Sequence, residues 1–512
     1  MSLRSANNCD VTGVRYAFYA DGTDLWRDLS IELQERFGAE PAIWLGHPRH
    51  IEFASRRFPS CEVLDERDLN IGLFDRSSRR SAPHGVLGSP TFLRCQSAAV
   101  YSLQRNAIHR DIDYLDRLVF VSGLTDFLWD RLQRSAATHF VAAQAPHSAA
   151  GFLLTGLFDA LGIEMLHFDQ AKIGPFMFPR LGLDYRAVSI DEVHAAESSL
   201  LTPDIAKAWV DKFHQQVVGR RLAAVEERKS KIESGTSGVR GLARKLINAE
   251  NELRQQESPT RSSRVSLRSG LRGPGSVGRA VRSVHRRSQL ISELRHAHDD
   301  AANPLGARAG FALFQLHFEP EKSTIPDGGL NLSQLAAIRI ARESLPSDTE
   351  LVVKEHPSQL SYVSHGFTGR SPSFYEALLD IPGVSLVSRS APNWDLIERS
   401  CVVLTVTGTV AVEAAFVGIP SGHFGHPWYL GLNGSRALKD ARTAPDVLRE
   451  ALEQRPAGGA ATADDLVSLL ARSAVLGVVS PGRLRHFERH GWEQVHDVNS
   501  VAMVVASHLG LD

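Results

Sequence analysis

The sequence predicts an α/β protein of two Rossmann-like domains facing a cleft, with a basic helical or flexible insertion between them. Three observations carry that expectation. Apolar runs of strand length alternate with amphipathic runs of helix length in both halves. That rhythm stops over roughly 219–303, and the interrupted stretch is rich in Ser, Gly and Arg. The expected boundaries are therefore 1–218, 219–303 and 304–512. A length of 512 residues suits two or more domains, and 43% hydrophobic against 22% charged residues suits sizeable cores.

In the first part, "VRYAFYA" (Val14–Ala20) reads as a strand and "DLWRDLSIELQERFG" (Asp24–Gly38) as a helix ended by its glycine. "PAIWLG" (Pro41–Gly46) reads as the next strand. "THFVAAQAP" (Thr138–Pro146), "SAAGFLLTGLFDALG" (Ser148–Gly162) and "EMLHF" (Glu164–Phe168) continue as strand, helix, strand. The third part repeats the pattern more clearly. "GFALFQLHF" (Gly310–Phe318), "ELVVKEHP" (Glu350–Pro357), "VSLVS" (Val384–Ser388) and "CVVLTV" (Cys401–Val406) are strands separated or followed by helices, the last closing at Gly418. From Ala437 onward the pattern is mostly helical.

Between Gly219 and His298 there are 18 Lys and Arg against 7 Asp and Glu. Such a stretch has little to bury and reads first as a solvated linker. Its charge would also suit an anionic membrane or a polyanionic glycan. No aromatic residues interleave with the arginines, so nucleic acid is not expected. The overall charge of -1 points the same way. Cys9, Cys61, Cys95 and Cys401 show no paired or metal-like spacing, which suits a reducing cytosol. Neither a signal peptide nor a membrane-spanning run of about 18 apolar residues is expected, so the expected place is the cytoplasm, with a peripheral position at the inner face of the plasma membrane open.

Chemistry is expected where strands end. In "LVVKEHPSQL" (Leu351–Leu360) a strand delivers Lys354, Glu355 and His356, and Pro357 stops it. Alternation puts Lys354 and His356 on one face, suited to a phosphate, with His356 as donor to a leaving group. A loop cap is the plainer alternative for His356. "TVTGTVAVEAAFVGIP" (Thr405–Pro420) brings Thr407, Gly408 and Thr409 to a helix start, where backbone N–H groups favour an anion. Glu413 follows four residues later, placed to accept ribose hydroxyls. In "FQLHFEPEKSTIPDGG" (Phe314–Gly329), His317, Glu319 and Glu321 gather at another strand end. "AQAPHSAAGF" (Ala143–Phe152) places His147 between a strand and a helix, to orient or deprotonate a hydroxyl or simply to serve structure. Asp21 and Asp24 in "YADGTDLW" and Asp169 in "HFDQAKIG" are further candidates for a base, though the plainer reading of "DGTD" is a turn with Asp24 as the cap of the first helix.

"LHFEPE", "VVKEHPS", "TVTGTVAVEAAFVGIP" and "FGHPWY", in this order, resemble the bacterial capsule polysaccharide biosynthesis family, which includes Kdo transferases and related surface-glycan transferases. The resemblance covers most of the third part and thins out in the first. It implies a GT-B glycosyltransferase. By that resemblance, His356 and Pro357 form the His-Pro motif, Thr407, Gly408 and Thr409 the phosphate loop, and Glu413 its following glutamate. Lys354, His317 and Glu319 join them as donor-binding residues, with His356, His147 and Asp21 as catalytic candidates. The expected co-substrate is a nucleotide sugar, such as a CMP-sugar, and the acceptor an oligosaccharide or glycolipid. No resident cofactor or metal is expected, since no DxD-like pair stands at a strand end. The long basic insertion departs from the family pattern. An inactive glycan-binding or assembly protein, a polyol-phosphate transferase and a nucleotide-sugar epimerase remain alternatives. The absence of Gly-x-Gly-x-x-Gly after the first strand argues against an NAD enzyme.

Overall fold

The computed structural model describes residues 13–75, 80–103, 113–190, 201–222, 276–305, 308–329, 333–361, 366–438, 441–453, 463–489 and 496–511. The chain divides into two compact units. The first takes the segments up to 103, 112–210 and 467 onward, and the second is chiefly 211–466.

In the first unit β1 (Arg15–Ala20), β2 (Glu40–Gly46), β3 (Glu62–Asp65), β4 (His139–Ala142) and β5 (Met165–Gln170) form a parallel sheet ordered β3-β2-β1-β4-β5. β6 (Phe176–Leu181) joins β5 antiparallel, and β7 (Arg186–Ala187) joins β6. β6 was not foreseen, since Pro179 interrupts its apolar run. Helix Asp24–Phe37 turns Leu25, Trp26, Leu29 and Leu33 toward Phe18 and Trp44, and Gly38, at φ 66°, ends it. Its N-cap is Thr23, whose hydroxyl donates to the Val478 carbonyl at 3.1 Å. Asp24 is the first helical residue and not the cap, contrary to expectation; its carboxylate instead meets Arg49 at 3.2 Å.

In the second unit β8 (Ala302–Asn303), β9 (Phe311–Gln315), β10 (Leu351–Lys354), β11 (Val384–Val387), β12 (Ser400–Thr405), β13 (Ser421–His423) and β14 (Ser435–Ala437) are all parallel, ordered β14-β13-β12-β9-β10-β11-β8. From β9 to β14 this is the Rossmann order, and the direction of winding reverses between β9 and β12. Both faces are covered, which is why the strands read as unbroken apolar runs. Ala312, Phe314, Leu351, Val353, Val402 and Leu404 enter one core, while Phe311, Leu313, Val352 and Val403 enter the other.

Two segments depart from the expected boundaries. Of the insertion expected at 219–303, residues 223–275 lie outside the described residues, and Ser276–Ala301 is a helix of the second unit whose Leu294 joins that unit's core. The end of the chain, expected to complete the 304–512 domain, packs on the first unit. β15 (Val475–Leu476) pairs antiparallel with β6, and Val501, Val504 and Val505 of helix Val498–His508, with Leu509 at its C-cap, enter the first unit's core. A helical apolar stripe says that a face will be covered, not which sheet will cover it. No helix among the described residues is long and apolar enough to cross a membrane.

Candidate active site

At the carboxyl ends of β9, β12 and β13 the loops of the second unit are bonded to one another. His317, buried two residues beyond β9, accepts the Thr407 N–H on Nε2 at 2.9 Å and lies 3.1 Å from Thr405 Oγ1. Thr405 Oγ1 accepts the Gly408 N–H at 3.1 Å, and Thr407 Oγ1 donates to the Ser323 carbonyl at 2.7 Å. The Tyr429 hydroxyl donates to the Gly408 carbonyl at 2.8 Å, and His426 N donates to Asp327 O at 2.7 Å. Gly425 lets these loops approach: a Cβ there would stand 2.5 Å from Asp327 O and 2.7 Å from Thr407 Cγ2. Lys322 reaches back to Asp327 at 2.9 Å.

The predicted phosphate loop is thus brought to the strand edge where the winding reverses, but two of its N–H groups are already spent inside the protein. Thr409 caps helix Val410–Ala415 without a side-chain bond and is half-buried. Glu413 sits half-buried on that helix, its N–H bonded to Thr409 O at 3.1 Å.

β10 ends at Lys354, so the alternation expected to carry on to His356 breaks there. Lys354 is buried, and its ammonium donates to the Ser388 and Arg389 carbonyls at 3.0 and 2.6 Å, beyond β11. It does not share a phosphate-facing surface with His356. Pro357 occupies the second position of a turn closed by Gln359 N–H to His356 O at 3.0 Å. His356 Nδ1 accepts the Ser358 N–H at 3.2 Å, so the loop-cap alternative describes one nitrogen. The other, Nε2, then carries the proton in the neutral ring. Burial pushes the imidazole below its ordinary value, with Glu355 partly opposing, so the ring is neutral near pH 7.

Glu355 and Glu319 are not placed to meet a ligand. Arg370 donates to Glu355 through Nε at 2.9 Å and Nη2 at 3.2 Å, and to Glu319 through Nη1. Tyr375 adds its hydroxyl to Glu355 at 2.9 Å. Burial works against the Arg370 cation, but Glu355 and Glu319 more than offset it and hold the guanidinium above its usual range. Burial raises Glu319, with Arg370 partly opposing. The donor-binding role expected of Glu319 gives way to this ion network, because no other cation neutralises its carboxylate in the bonds described. Arg370 and Tyr375 were missed: their partners lie in other loops, and only the fold joins them. Lys322 was missed although its partner Asp327 lies in the same loop.

In the first unit, Asp21 follows β1 and His147 follows β4, again where the winding reverses. Asp21 Oδ1 accepts Gly22 N–H and Oδ2 accepts Gln144 Nε2, each at 2.6 Å. Burial raises its carboxyl, while the Gly22 N–H and His147 oppose. His147 stacks on Tyr19 at 6.4 Å between ring centres. Tyr19 donates to Glu66 and lies 3.2 Å from Ser148 Oγ, and burial, then Glu66, holds its hydroxyl protonated. Glu66 and Tyr19 had no motif to announce them. Asp169 is buried in β5, where it partly restores the basicity that burial takes from Arg180. Burial pushes the thiols of Cys61 and Cys95 up to about 12, which removes them as nucleophiles. Among the described residues no group of three or more His, Cys, Asp or Glu is placed to hold a metal ion.

Residues 281–454 match the family model of the capsule polysaccharide biosynthesis protein. The resemblance carried by the motifs is borne out over that stretch, which holds His317, Arg370, His356, the Thr-Gly-Thr loop and Glu413. No curated protein matches the chain. Among solved structures, Thermosulfurimonas dismutans KpsC, a beta Kdo 2,7 transferase, is 13% identical over 68% of this chain and 79% of its own, with a TM-score of 0.26. A beta Kdo 2,4 transferase of the same KpsC is 12% identical over 67% and 80%, TM-score 0.25. The UDP-GlcNAc 2-epimerase of Neisseria meningitidis bound to UDP-GlcNAc is 9% identical over 97% and 100%, TM-score 0.21. Likenesses of this degree say nothing of the reaction. Two Rossmann-like sheets in one chain, one in each unit, are the composition of a GT-B-like fold, and residues 281–454 lie in the second unit.

Proposed function

We propose that the chain is a glycosyltransferase that moves a sugar, Kdo or another CMP-activated sugar, from a nucleotide donor to a capsular or cell-surface polysaccharide. The observation that supports this reading most is His356. Within the capsule-family segment it stands at a strand end with Nδ1 fixed by Ser358 and Nε2–H left as a neutral donor. A neutral imidazole donor beside a leaving phosphate stabilises the charge that develops as the glycosidic bond breaks. In this reading Thr409 and Glu413 meet the nucleotide, and Lys322 exchanges part of its bond to Asp327 for a phosphate oxygen. The raised carboxyl of Asp21, with His147 beside it, takes the proton of the acceptor hydroxyl in the first unit.

The test is incubation of the full chain with a panel of CMP- and UDP-sugars, CMP-Kdo included, read by mass spectrometry. Release of CMP with transfer or hydrolysis of the sugar is expected, and is expected to survive EDTA. Conversion of a donor with its nucleotide still attached would mark an epimerase instead. No turnover of any donor, with glycan binding intact, would leave a non-catalytic binding protein.

A further inference from the structure

Two histidines at the second unit's strand edge are held in opposite tautomers. His317 Nε2 accepts a backbone N–H at 2.9 Å, so its proton sits on Nδ1, whereas His356 Nδ1 accepts one at 3.2 Å, so its proton sits on Nε2. One ring therefore fastens the Thr-Gly-Thr loop and the other presents a donor. Both loops hang on one guanidinium. Arg370 Nη2 donates to the carbonyl of His317 at 3.1 Å, and the same nitrogen donates to Glu355 Oε1, the atom that accepts the His356 N–H at 2.8 Å. Its Nη1 holds Glu319, two residues beyond His317. The Arg370 side chain is fully buried and lies over the Phe374 ring at 4.4 Å, so water does not compete for these bonds. Gln359 adds a second tie, accepting Glu319 N–H at 2.8 Å and donating to Glu319 O at 2.9 Å.

We infer that Arg370 is a positioning residue, whose fork sets the His317 and His356 loops at a fixed separation and thereby points the His356 Nε2–H at the donor phosphate. A buried ion pair is by itself weak support for stability, and two buried carboxylates around one cation leave a charge in excess. The geometry accounts for its presence differently: a planar fork fixes directions that a point charge does not. The binding half of this inference rests on the proposed function, and the positioning half does not.

The experiment uses the full chain with Arg370→Lys, which keeps the charge and loses the fork, and Glu355→Gln, which keeps the shape and loses the ion pair. Imidazole ¹H–¹⁵N correlation spectra, assigned with His317→Ala and His356→Ala, report the tautomers directly. In either variant that melts cooperatively, the His356 signal is expected to move from the Nε2–H tautomer toward a mixture. Should both variants fail to fold, Tyr375→Phe, which removes one hydroxyl from the same carboxylate, is expected to give a smaller shift in the same direction. Unchanged imidazole signals in a folded variant overturn the inference. In parallel, CMP and UDP are titrated by calorimetry. Arg370→Lys is expected to weaken the nucleotide bound by wild type about tenfold, the scale of one charge-assisted hydrogen bond. The pair Arg370→Lys with His356→Ala is expected to lose no more than His356→Ala alone; additive losses would show that Arg370 does not act through His356. If wild type binds neither nucleotide while the tautomers still shift, the functional reading falls and the positioning role stands.

Discussion

The proposed function gives His356 a job on each of its two nitrogens, the Ser358 cap on Nδ1 and a donor on Nε2, and substitution separates them. His356→Ala is expected to lower turnover about 10²–10⁴-fold, the usual worth of one positioned proton donor. Loss of the Ser358 cap should cost only about 1 kcal/mol, read as a small drop in melting temperature on the same preparation. A variant that melts earlier yet turns over normally would reduce His356 to its cap. A second buried imidazole sets an acid limit. His423, bonded through Nδ1 to Ser435 Oγ at 3.0 Å, is held by burial to about 3, against 6.5 for a free ring. Between those values the unfolded chain binds the proton and the folded chain does not, so stability is present above about 6.5 and falls as the pH drops toward 3. Denaturant melts from pH 7 to pH 4 should show this slope, and His423→Gln should flatten it by up to about one proton. Among residues, the sequence announced those that end strands. It did not announce Arg370, whose partners Glu355 and Glu319 lie 15 and 51 positions away. An ion pair has no periodicity to read.

Among elements, β9, β10, β11 and β12 were legible because sheets covered on both faces demand continuous apolar runs. β13 and β14 were not: Ser421–His423 and Ser435–Ala437 are short and carry polar residues, and their place at one edge comes from the strands beside them. The loops between these strands depend on backbone contact more than on side chains. Gly425→Ala would drive a methyl group into Asp327 O, Gly328 Cα and Thr407 Cγ2 at 2.5–2.7 Å, all of them parts of neighbouring loops. The expected outcome is loss of nucleotide binding in calorimetry with the sheet intact by circular dichroism. Unaltered binding would mean that the Thr-Gly-Thr loop has slack.

At the scale of the whole chain, the two-sheet composition was legible and the allocation of the last segment was not. The tail expected to be mostly helical holds helices at 463–473 and 498–508, yet the sheet that the last helix serves is fixed only by tertiary packing. The consequence is an asymmetry between the units. A fragment 211–466 contains nearly all of the second unit and is expected to fold alone with a cooperative melt, whereas a fragment ending at 210 lacks β15 and the helix that covers Leu29 and Leu33. It is expected to be insoluble. A soluble, cooperatively melting 1–210 would show that the returning segment is dispensable. Within the full chain, Val505→Asp should destabilise the first unit by about 3 kcal/mol or more, since a buried carboxylate finds no partner there.

The returning segment also fixes an order of events in synthesis. Residues 467–511 leave the ribosome only after all of 211–466 has been made, so the N-terminal sheet, translated first, is finished last. Until then helix Asp24–Phe37 lacks the last helix that packs on it, and the nascent chain must be shielded while the second unit is already able to close. Chaperone occupancy in a ribosome-bound series should therefore persist past residue 466 and drop once the last helix emerges. A chain broken off early in that interval would carry a finished second unit and an unfinished first one, a product that proteases can recognise by its exposed sheet.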